Sequence, residues 1–398
     1  MKILYIATSF PQPHKGATIY TDLAEELYSQ GHDIIVAVSE QRKNKAKTSF
    51  NEERGFPVLR IVVGDFYDVN IAKKAFVQLR MPQVMKRALK KYLKDYDFDL
   101  ILFESPPVTN VNLVSWAMKR YKSESYLMLK DIFPQNAVDL GIIKKINPAY
   151  TYYKNQEKKL YKTPTYIGCM SEGNLSYIKQ NNPWLDEDKL DIFPNTKKVG
   201  IYKPRQTLEY RNKLGIPESS KVVLFGGNMG KPQYIEGLAE ILKKFVNDEV
   251  LYFLFVGRGT ERYILEETIK KYRISNAKVI ENLPRDSYEK LTQECDIGLI
   301  SLHPNFTIPN YPSRILSYME YAMPILALTD KNTDIKELIT NNNLGYWAFS
   351  GDTENVVTAL KNLKEDHRLN EMGHNGRKYL ENNLKVKRSV EILESHFS

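Results

Sequence analysis

The chain has 398 residues, of which 42% are hydrophobic and 26% charged, with a formal net charge of +9. That length exceeds one ordinary core and points to two domains of roughly 200 residues each, and no run approaches the ~18 apolar residues of a membrane span, which sets aside an integral membrane protein. Cys169 and Cys295 stand in apolar, strand-like contexts and are too few for a disulfide framework or a zinc site, and MKILYIATSF leads straight into a loop without the pattern of a signal segment. A cytoplasmic location is therefore expected.

The charge is uneven. Residues 1–200 hold 30 Lys and Arg against 22 Asp and Glu, while the remainder hold 27 against 26. A basic surplus confined to the first half predicts an anionic partner for that half: nucleic acid, an acidic membrane surface, or a phosphorylated acceptor.

Taken in order, Ile3 to Ala7 reads as a strand, Thr18 to Gln30 as a helix stopped by Gly31, and Ile34 to Val38 as the next strand. This is a βαβ unit, hence a parallel sheet. The first loop has Gly16 but not the G-x-G-x-x-G pattern, which disfavours a nicotinamide dehydrogenase. Residues 41–57 read as a polar loop and Val58 to Val63 as a strand. Pro82 is expected to open a helix with an apolar face and a basic face, including Lys86, Arg87, Lys90 and Lys91; Phe66, Tyr67 and Phe76 precede it beside Lys73, Lys74 and Arg80. The basic face reads either as a solvated crossover helix or as a contact for lipid phosphates.

Leu100 to Phe103 and Ser125 to Leu129 are strands ending at Glu104 and at Lys130-Asp131. In open parallel sheets the ligand crevice lies beyond the carboxyl ends of strands, so Glu104 and Asp131 are the carboxylates expected there. Asp97-Phe98-Asp99 has the D-x-D spacing of metal-dependent sugar transferases but precedes its strand, and Asp186-Glu187-Asp188 lies in a polar loop; neither is expected to bind a metal. Thr196 to Lys213 carries no periodic pattern and reads as the interdomain linker.

The second half repeats the grammar. Lys221 to Phe225 runs into GGNMGK, Leu251 to Val256 into Gly257-Arg258-Gly259, and Lys278 to Glu281 into Asn282-Leu283-Pro284. Glycines after strands let backbone N–H groups approach a phosphate or sugar, though each serves equally well in a tight turn. In YPSRILSYMEYAMPILALT, Tyr311 to Thr329, a Pro-Ser helix start and Arg314 are expected to meet an anion such as a diphosphate before the buried strand Ile325 to Leu328.

The order GGNMGKPQ, FVGRGTE, ENLPRDSYEKL, CDIGLISL and PSRILSYMEYAMPILAL resembles the C-terminal half of family 4 retaining glycosyltransferases. The first half adds the Gly16 loop, GHDIIVAV, Ser105-Pro106-Pro107 and DIFPQNAVDLG. Within that family it is most similar to the fucosamine-transferase-like enzymes of bacterial O-antigen and capsule synthesis. The resemblance implies an α/β chain of two Rossmann-like domains facing each other across a cleft, the GT-B fold. The expected division is an acceptor domain over residues 1–197, a nucleotide-sugar domain over 198–375, and a helix over 376–398 crossing back to the first.

Carried over residue by residue, it implies that Gly257, Gly259 and the backbone around Leu283 cradle the nucleotide base. Asn228, Lys231 and Arg314 face the diphosphate, with Gly16 and Gly230 among the donor-side glycines. The usual E-x7-E pattern is replaced: its positions hold Pro309 and Ser317, and Glu320 lies three residues off that register. The cations usual after the strand Lys221 to Phe225 are Asn228 and Gln233. The implied reaction moves a sugar, an N-acetylated amino sugar in this subgroup, from a UDP-sugar with retention and without a metal. Arg314 supports the leaving group and Asp131 or Glu104 orients the acceptor. The implied acceptor is a polyprenyl-diphosphate-linked saccharide at the inner face of the cell membrane, met through Lys73, Lys74, Arg80 and Arg87. Competing readings are another GT-B enzyme, such as a sugar-nucleotide 2-epimerase or a phosphorylase, and a nucleic-acid binder, for which no regular basic and aromatic pattern is present.

Overall fold

The computed structural model describes residues 1–42, 46–65, 71–202, 204–205 and 207–397; of the side chains within these, those of Ile71, Ala72, Lys74 and Arg285 are outside the description. Of the residues expected at the membrane side, Phe66, Tyr67 and the side chain of Lys74 lie outside the described residues. The chain forms two compact units, Met1–Lys198 with Val386–Ser398, and Val199–Lys385.

In the first unit β1 (Lys2–Ala7), α1 (Ile19–Ser29) and β2 (Asp33–Glu40) open the sheet. There follow β3 (Ser49–Glu53), β4 (Phe56–Val62), α2 (Ile71–Tyr92), β5 (Leu100–Ser105), α3 (Val111–Tyr121) and β6 (Glu124–Leu129). The unit continues through α4 (Gln135–Asp139), α5 (Pro148–Lys162), β7 (Tyr166–Cys169), α6 (Glu172–Asn181) and β8 (Leu190–Ile192). The sheet order is β3-β4-β2-β1-β5-β6-β7-β8, parallel except for the antiparallel β3-β4 pair. The order reverses between β1 and β5, and Ile3 to Ala7 and Leu100 to Phe103 on either side of that point are apolar and fully buried, as a sheet covered on both faces requires.

Two segments differ from the sequence reading. Within residues 41–57, read as a polar loop, Ser49–Glu53 form a strand that makes a hairpin with the strand expected from Val58, held by Arg60, which pairs with Glu53 at 2.6 Å and donates from Nη1 to the Phe10 carbonyl at 2.9 Å. The polar run becomes a strand by pairing antiparallel with β4, the next strand in the chain. Helix α2 begins about three turns before Pro82, which sits inside it. An internal proline leaves the carbonyl four residues back without its N–H donor. Here that carbonyl, Gln78 O, accepts the Thr109 hydroxyl at 3.1 Å.

The second unit contains α7 (Glu209–Leu214), β9 (Lys221–Asn228), α8 (Ile235–Lys244), β10 (Leu251–Arg258), α9 (Arg262–Tyr272), β11 (Ala277–Ile280), α10 (Arg285–Glu294) and β12 (Ile297–Ser301). It is completed by α11 (Ile315–Glu320), β13 (Ile325–Thr329), α12 (Ile335–Asn341), β14 (Gly345–Phe349), α13 (Thr353–Glu365) and α14 (Leu369–Asn383). Its parallel sheet runs β11-β10-β9-β12-β13-β14, with the order reversing between β9 and β12. Part of the expected linker is therefore ordered: the fully buried Arg211 of α7 meets Asp296 at 3.2 Å and the Glu294, Pro217 and Ser220 carbonyls.

The last helix, α15 (Val386–Phe397), belongs to the first unit. The change of unit falls at Val386, ten residues later than the expected 376, because α14 packs on α11 and its Arg377 donates to the Glu320 and Gly200 carbonyls. Helix α15 is fixed to its own unit by Thr196 Oγ1 and Ser389 Oγ at 2.7 Å and by His396 and Asp191 at 2.7 Å.

Candidate functional site

In the second unit the reversal of strand order opens a gap. Strands β9 and β12 pair only at Ile297 with Val223 and Gly298 with Leu224. Beyond that, the Tyr318 hydroxyl lies between them, 3.1 Å from both the Leu224 and Leu299 carbonyls, and accepts the Gly226 N–H at 3.3 Å. Tyr288 of α10 reaches the same place, where a Cβ on Gly226 would stand 1.8 Å from its hydroxyl.

On this aromatic floor lies Arg314. Its guanidinium is 4.6 Å from the Phe225 ring centroid and presses on the glycine turn after β9, where a Cβ on Gly227 (φ +122°) would stand 3.2 Å from Nη2. Nη1 is buried and has no hydrogen-bond partner among the described residues. Burial pushes the guanidinium below its ordinary pKa, while Tyr318 and Tyr288 push it back up. A cation withdrawn from water and left uncompensated is costly, and an anion with paired oxygens is the complement that repays it. The anion site rests on this guanidinium and not on a helix end: α11 has six residues, Arg314 is its N-cap residue, and no side chain caps it.

The neighbouring turn supplies a second cation. Lys231 is exposed just past β9, and its turn is tied to the loop after β12 by the Ser301 hydroxyl on Gln233 O at 2.7 Å and His303 N on Pro232 O at 2.9 Å. Burial and Lys231 together lower the His303 pKa. The amides Asn228 and Gln233, expected to take the place of cations after β9, satisfy each other, Asn228 Nδ2 donating to Gln233 Oε1 at 3.0 Å, and Gly230 N donates to the same oxygen at 3.4 Å.

Gly257 and Gly259 serve a tight contact within the fold. With φ of +156° and +158°, their missing Cβ atoms would stand 1.9 Å from Gly227 O and 2.2 Å from Met229 O, so the two strand-end loops pack backbone on backbone. Leu283 is half-buried just past β11, at the end of the strand beside β10. Ser317 is half-buried in the first turn of α11. Glu320, expected to stand in for the missing ribose-side carboxylate, is buried at the last position of α11 and accepts the Gly200 N–H at 3.2 Å, so it acts on the chain's own backbone.

In the first unit the strand ends hold two unlike carboxylates. Glu104 is fully satisfied: Oε1 accepts Thr8 N and Thr8 Oγ1, each at 2.7 Å, and Oε2 accepts the Tyr5 hydroxyl at 3.0 Å. It braces β5 against the loop after β1, so both of its oxygens are engaged within the fold. Asp131 is different. Oδ2 accepts Asn136 Nδ2 at 2.6 Å, whereas Oδ1 is buried without a hydrogen-bond partner. Burial pushes its pKa up to about 6 against the opposing bonds from Ile132 N and Asn136. Beside it, burial pushes Lys130 down to about 7, with Glu104 opposing. A carboxylate with a raised pKa and one free oxygen is suited to accept a hydroxyl proton.

Gly16 (φ +101°) closes the loop after β1, where its carbonyl and that of Pro11 accept Arg54, which also pairs with Glu25 at 2.6 Å. On α2, Lys73 lies 3.6 Å from Asp65, Arg80 covers the Phe76 ring at 5.3 Å, and Arg87 is exposed. Lys86 and Lys90 turn onto Trp116 at 5.3 and 5.8 Å. Asp99 accepts Lys2 N at 2.7 Å, tying the start of β1 to the segment before β5, and Asp186 accepts Asp188 N at 3.1 Å within its own turn; both bind backbone N–H groups. The sequence reading missed Phe225, Tyr288 and Tyr318; the adjacent Gly226-Gly227 pair was the only local sign that bulky groups close over that strand end.

With this geometry in place, comparison with known proteins is informative. Residues 206–379 match the family described as glycosyl transferases group 1. The chain is similar to the probable glycosyltransferase WbjE of Pseudomonas aeruginosa, 25% identical over 55% of this chain and 54% of that protein. It is also similar to the putative colanic acid biosynthesis glycosyl transferase WcaI of Escherichia coli K12, 28% identical over 27% of this chain and 26% of that one. The chain thus spans about half and about a quarter of these relatives. Among solved structures, Anabaena HepE in complex with UDP-glucose superposes with a TM-score of 0.69 and 16% identity, covering 99% of this chain and 100% of that one. The fold is GT-B. The group 1 match falls on the GT-B unit that contains Arg314 and the paired glycine turns.

Proposed function

We propose that this chain is a retaining glycosyltransferase that moves a sugar, an N-acetylated amino sugar, from a UDP-sugar to a hydroxyl of a polyprenyl-diphosphate-linked saccharide in bacterial surface polysaccharide synthesis. The observation that carries the donor half is the partnerless, buried Nη1 of Arg314 within the segment matching glycosyl transferases group 1. Breaking a glycosyl-diphosphate bond builds negative charge on the leaving oxygen, and a fixed guanidinium on Phe225 with Lys231 nearby answers that charge without reorganising at the moment of reaction. No metal is invoked. The complexes of HepE with UDP-glucose and the colanic acid role in the name of WcaI favour a nucleotide-sugar donor and a polysaccharide product.

Asp131 acts on the acceptor: its free Oδ1 receives the hydroxyl hydrogen bond and orients the nucleophile, while the departing phosphate assists on the same face of the sugar. The basic surplus of residues 1–200 and the exposed Lys73 and Arg87 favour an anionic membrane surface as the place where the acceptor is met. The test is a panel of nucleotide sugars offered with a short-chain lipid-diphosphate sugar and with the matching free sugar. Transfer from a UDP-sugar to the lipid-linked acceptor with retained anomeric configuration is the expected result; hydrolysis or epimerisation without an acceptor overturns it.

A further inference from the structure

Large apolar side chains exposed singly are ordinary on a protein surface; a cluster of them within a basic setting is not. In the first unit the connection from α4 to α5 reads Gly-Ile-Ile-Lys-Lys-Ile-Asn-Pro over residues 141–148, and it leaves Ile142 52% and Ile146 91% exposed, with Lys144 and Lys145 exposed between them. The segment has a defined backbone: Ile142 N and Ile143 N both donate to Ala137 O, at 2.8 and 3.1 Å, and Asn147 N donates to Lys144 O at 2.9 Å. A second exposed apolar pair, Phe76 at 56% and Leu79 at 46%, stands on the early turns of α2 with Arg80.

The fold brings the two segments to one rim. Helix α2 starts from the carboxyl end of β4 and α5 follows the carboxyl end of β6; both pack against residues 108–110 after β5. Thr109 bonds Gln78 on the α2 side, and Tyr153 of α5 meets Phe133 edge-on at 4.9 Å. The two segments themselves are basic: residues 69–94 and 140–156 contain no Asp or Glu.

We infer that Ile142 and Ile146, with Phe76 and Leu79, are side chains that enter the interface of an anionic bilayer, with Lys144, Lys145 and Arg80 at the level of the lipid phosphates. The inference rests on the membrane-side reading above and goes further, since it assigns part of the attachment to apolar insertion at a named loop. Isoleucine alternating with lysine suits the boundary between acyl chains and headgroups, where each side chain finds its own medium. Because the same rim holds Asp131 at the end of β6, attachment here places the acceptor-side carboxylate next to the surface that carries a lipid-linked acceptor.

The chain supplies its own control. Ile201 is also 91% exposed but stands in the second unit, and the two native cysteines are buried. Ile146→Cys and Ile201→Cys, each labelled with the polarity-sensitive NBD fluorophore, are mixed with phosphatidylglycerol-containing vesicles and followed by emission and co-sedimentation. The expected result is a blue shift and a several-fold emission increase for the Ile146 label alone, quenched by brominated lipid. Ile142→Ser with Ile146→Ser should weaken vesicle binding at least tenfold while turnover on a water-soluble acceptor stays within twofold. Co-sedimentation with an unchanged Ile146 label overturns the insertion and leaves electrostatic attachment standing. Emission that rises with protein concentration in the absence of vesicles overturns it in favour of a second copy of the chain. Failure of the protein to co-sediment with any vesicle defeats the insertion and the membrane reading together.

Discussion

The ring of Tyr318 occupies the space that Gly298 leaves open, since a Cβ at Gly298 would stand 2.3 Å from it. Through this fit, the helix that Arg314 precedes, α11, is locked to the diverging strands β9 and β12.

Tyr318→Phe removes the hydroxyl bonded to Gly226 N and two strand carbonyls, leaving buried backbone groups unsatisfied. A loss of about 1–3 kcal/mol is expected in chemical denaturation. Gly298→Ala should cost at least as much, because the ring has no room to yield. Equal stability of the two variants with wild type would detach Tyr318 from this role.

Arg314→Met should separate binding from folding. Nη1 has no partner to lose, so thermal stability of the unliganded protein is expected to hold or rise, while UDP affinity by calorimetry falls by roughly 1.5–3 kcal/mol, the range of a charged hydrogen-bonded contact. Unchanged UDP affinity would remove Arg314 from the donor site.

Asp131 sets a pH dependence. Its folded-state pKa is raised from 3.8 to about 6, so the stabilising contribution of the neutral form is complete below pH 3.8 and is lost as pH rises through about 6. Asp131→Asn should therefore stabilise the protein relative to wild type on the order of 2 kcal/mol at pH 8, with the difference shrinking toward pH 4. Turnover should drop sharply and lose its rising limb near pH 6 while UDP binding is retained. A parallel loss of UDP affinity would assign Asp131 to the donor instead.

Turnover is expected to survive EDTA. Among the described residues no group of three or more His, Cys, Asp and Glu side chains is placed to hold a metal, and Asp99 and Asp186 are engaged with backbone N–H groups. Activity abolished by EDTA and restored by manganese or magnesium would overturn the metal-free proposal.

Gly257→Ala tests the glycine assignment. The added Cβ would meet Gly227 O at 1.9 Å with φ at +156°, so a loss of roughly 3 kcal/mol or more in stability is expected even without ligand. A variant of normal stability with impaired UDP binding would return Gly257 to a ligand-facing role.

What the sequence determined by itself was periodic or local: apolar runs of strand length alternating with amphipathic helices, glycines directly after strands, and a carboxylate or cation just beyond a strand end. These place Asp131 and Arg314 at carboxyl ends because in a parallel sheet direction alone decides which end a loop occupies. Tertiary structure decided how each polar group is satisfied. Glu104 and Asp131 read alike in sequence, yet Tyr5 and Thr8 saturate the first, and the second keeps an orphan oxygen. Pro82 reads as a helix start, yet a hydroxyl from Thr109 serves the carbonyl it strands. Glu320 reads as a substitute for a missing acid, yet it bonds Gly200. In each case the deciding partner is more than twenty residues away, and a hydrogen bond formed across that separation leaves no periodic trace in the chain.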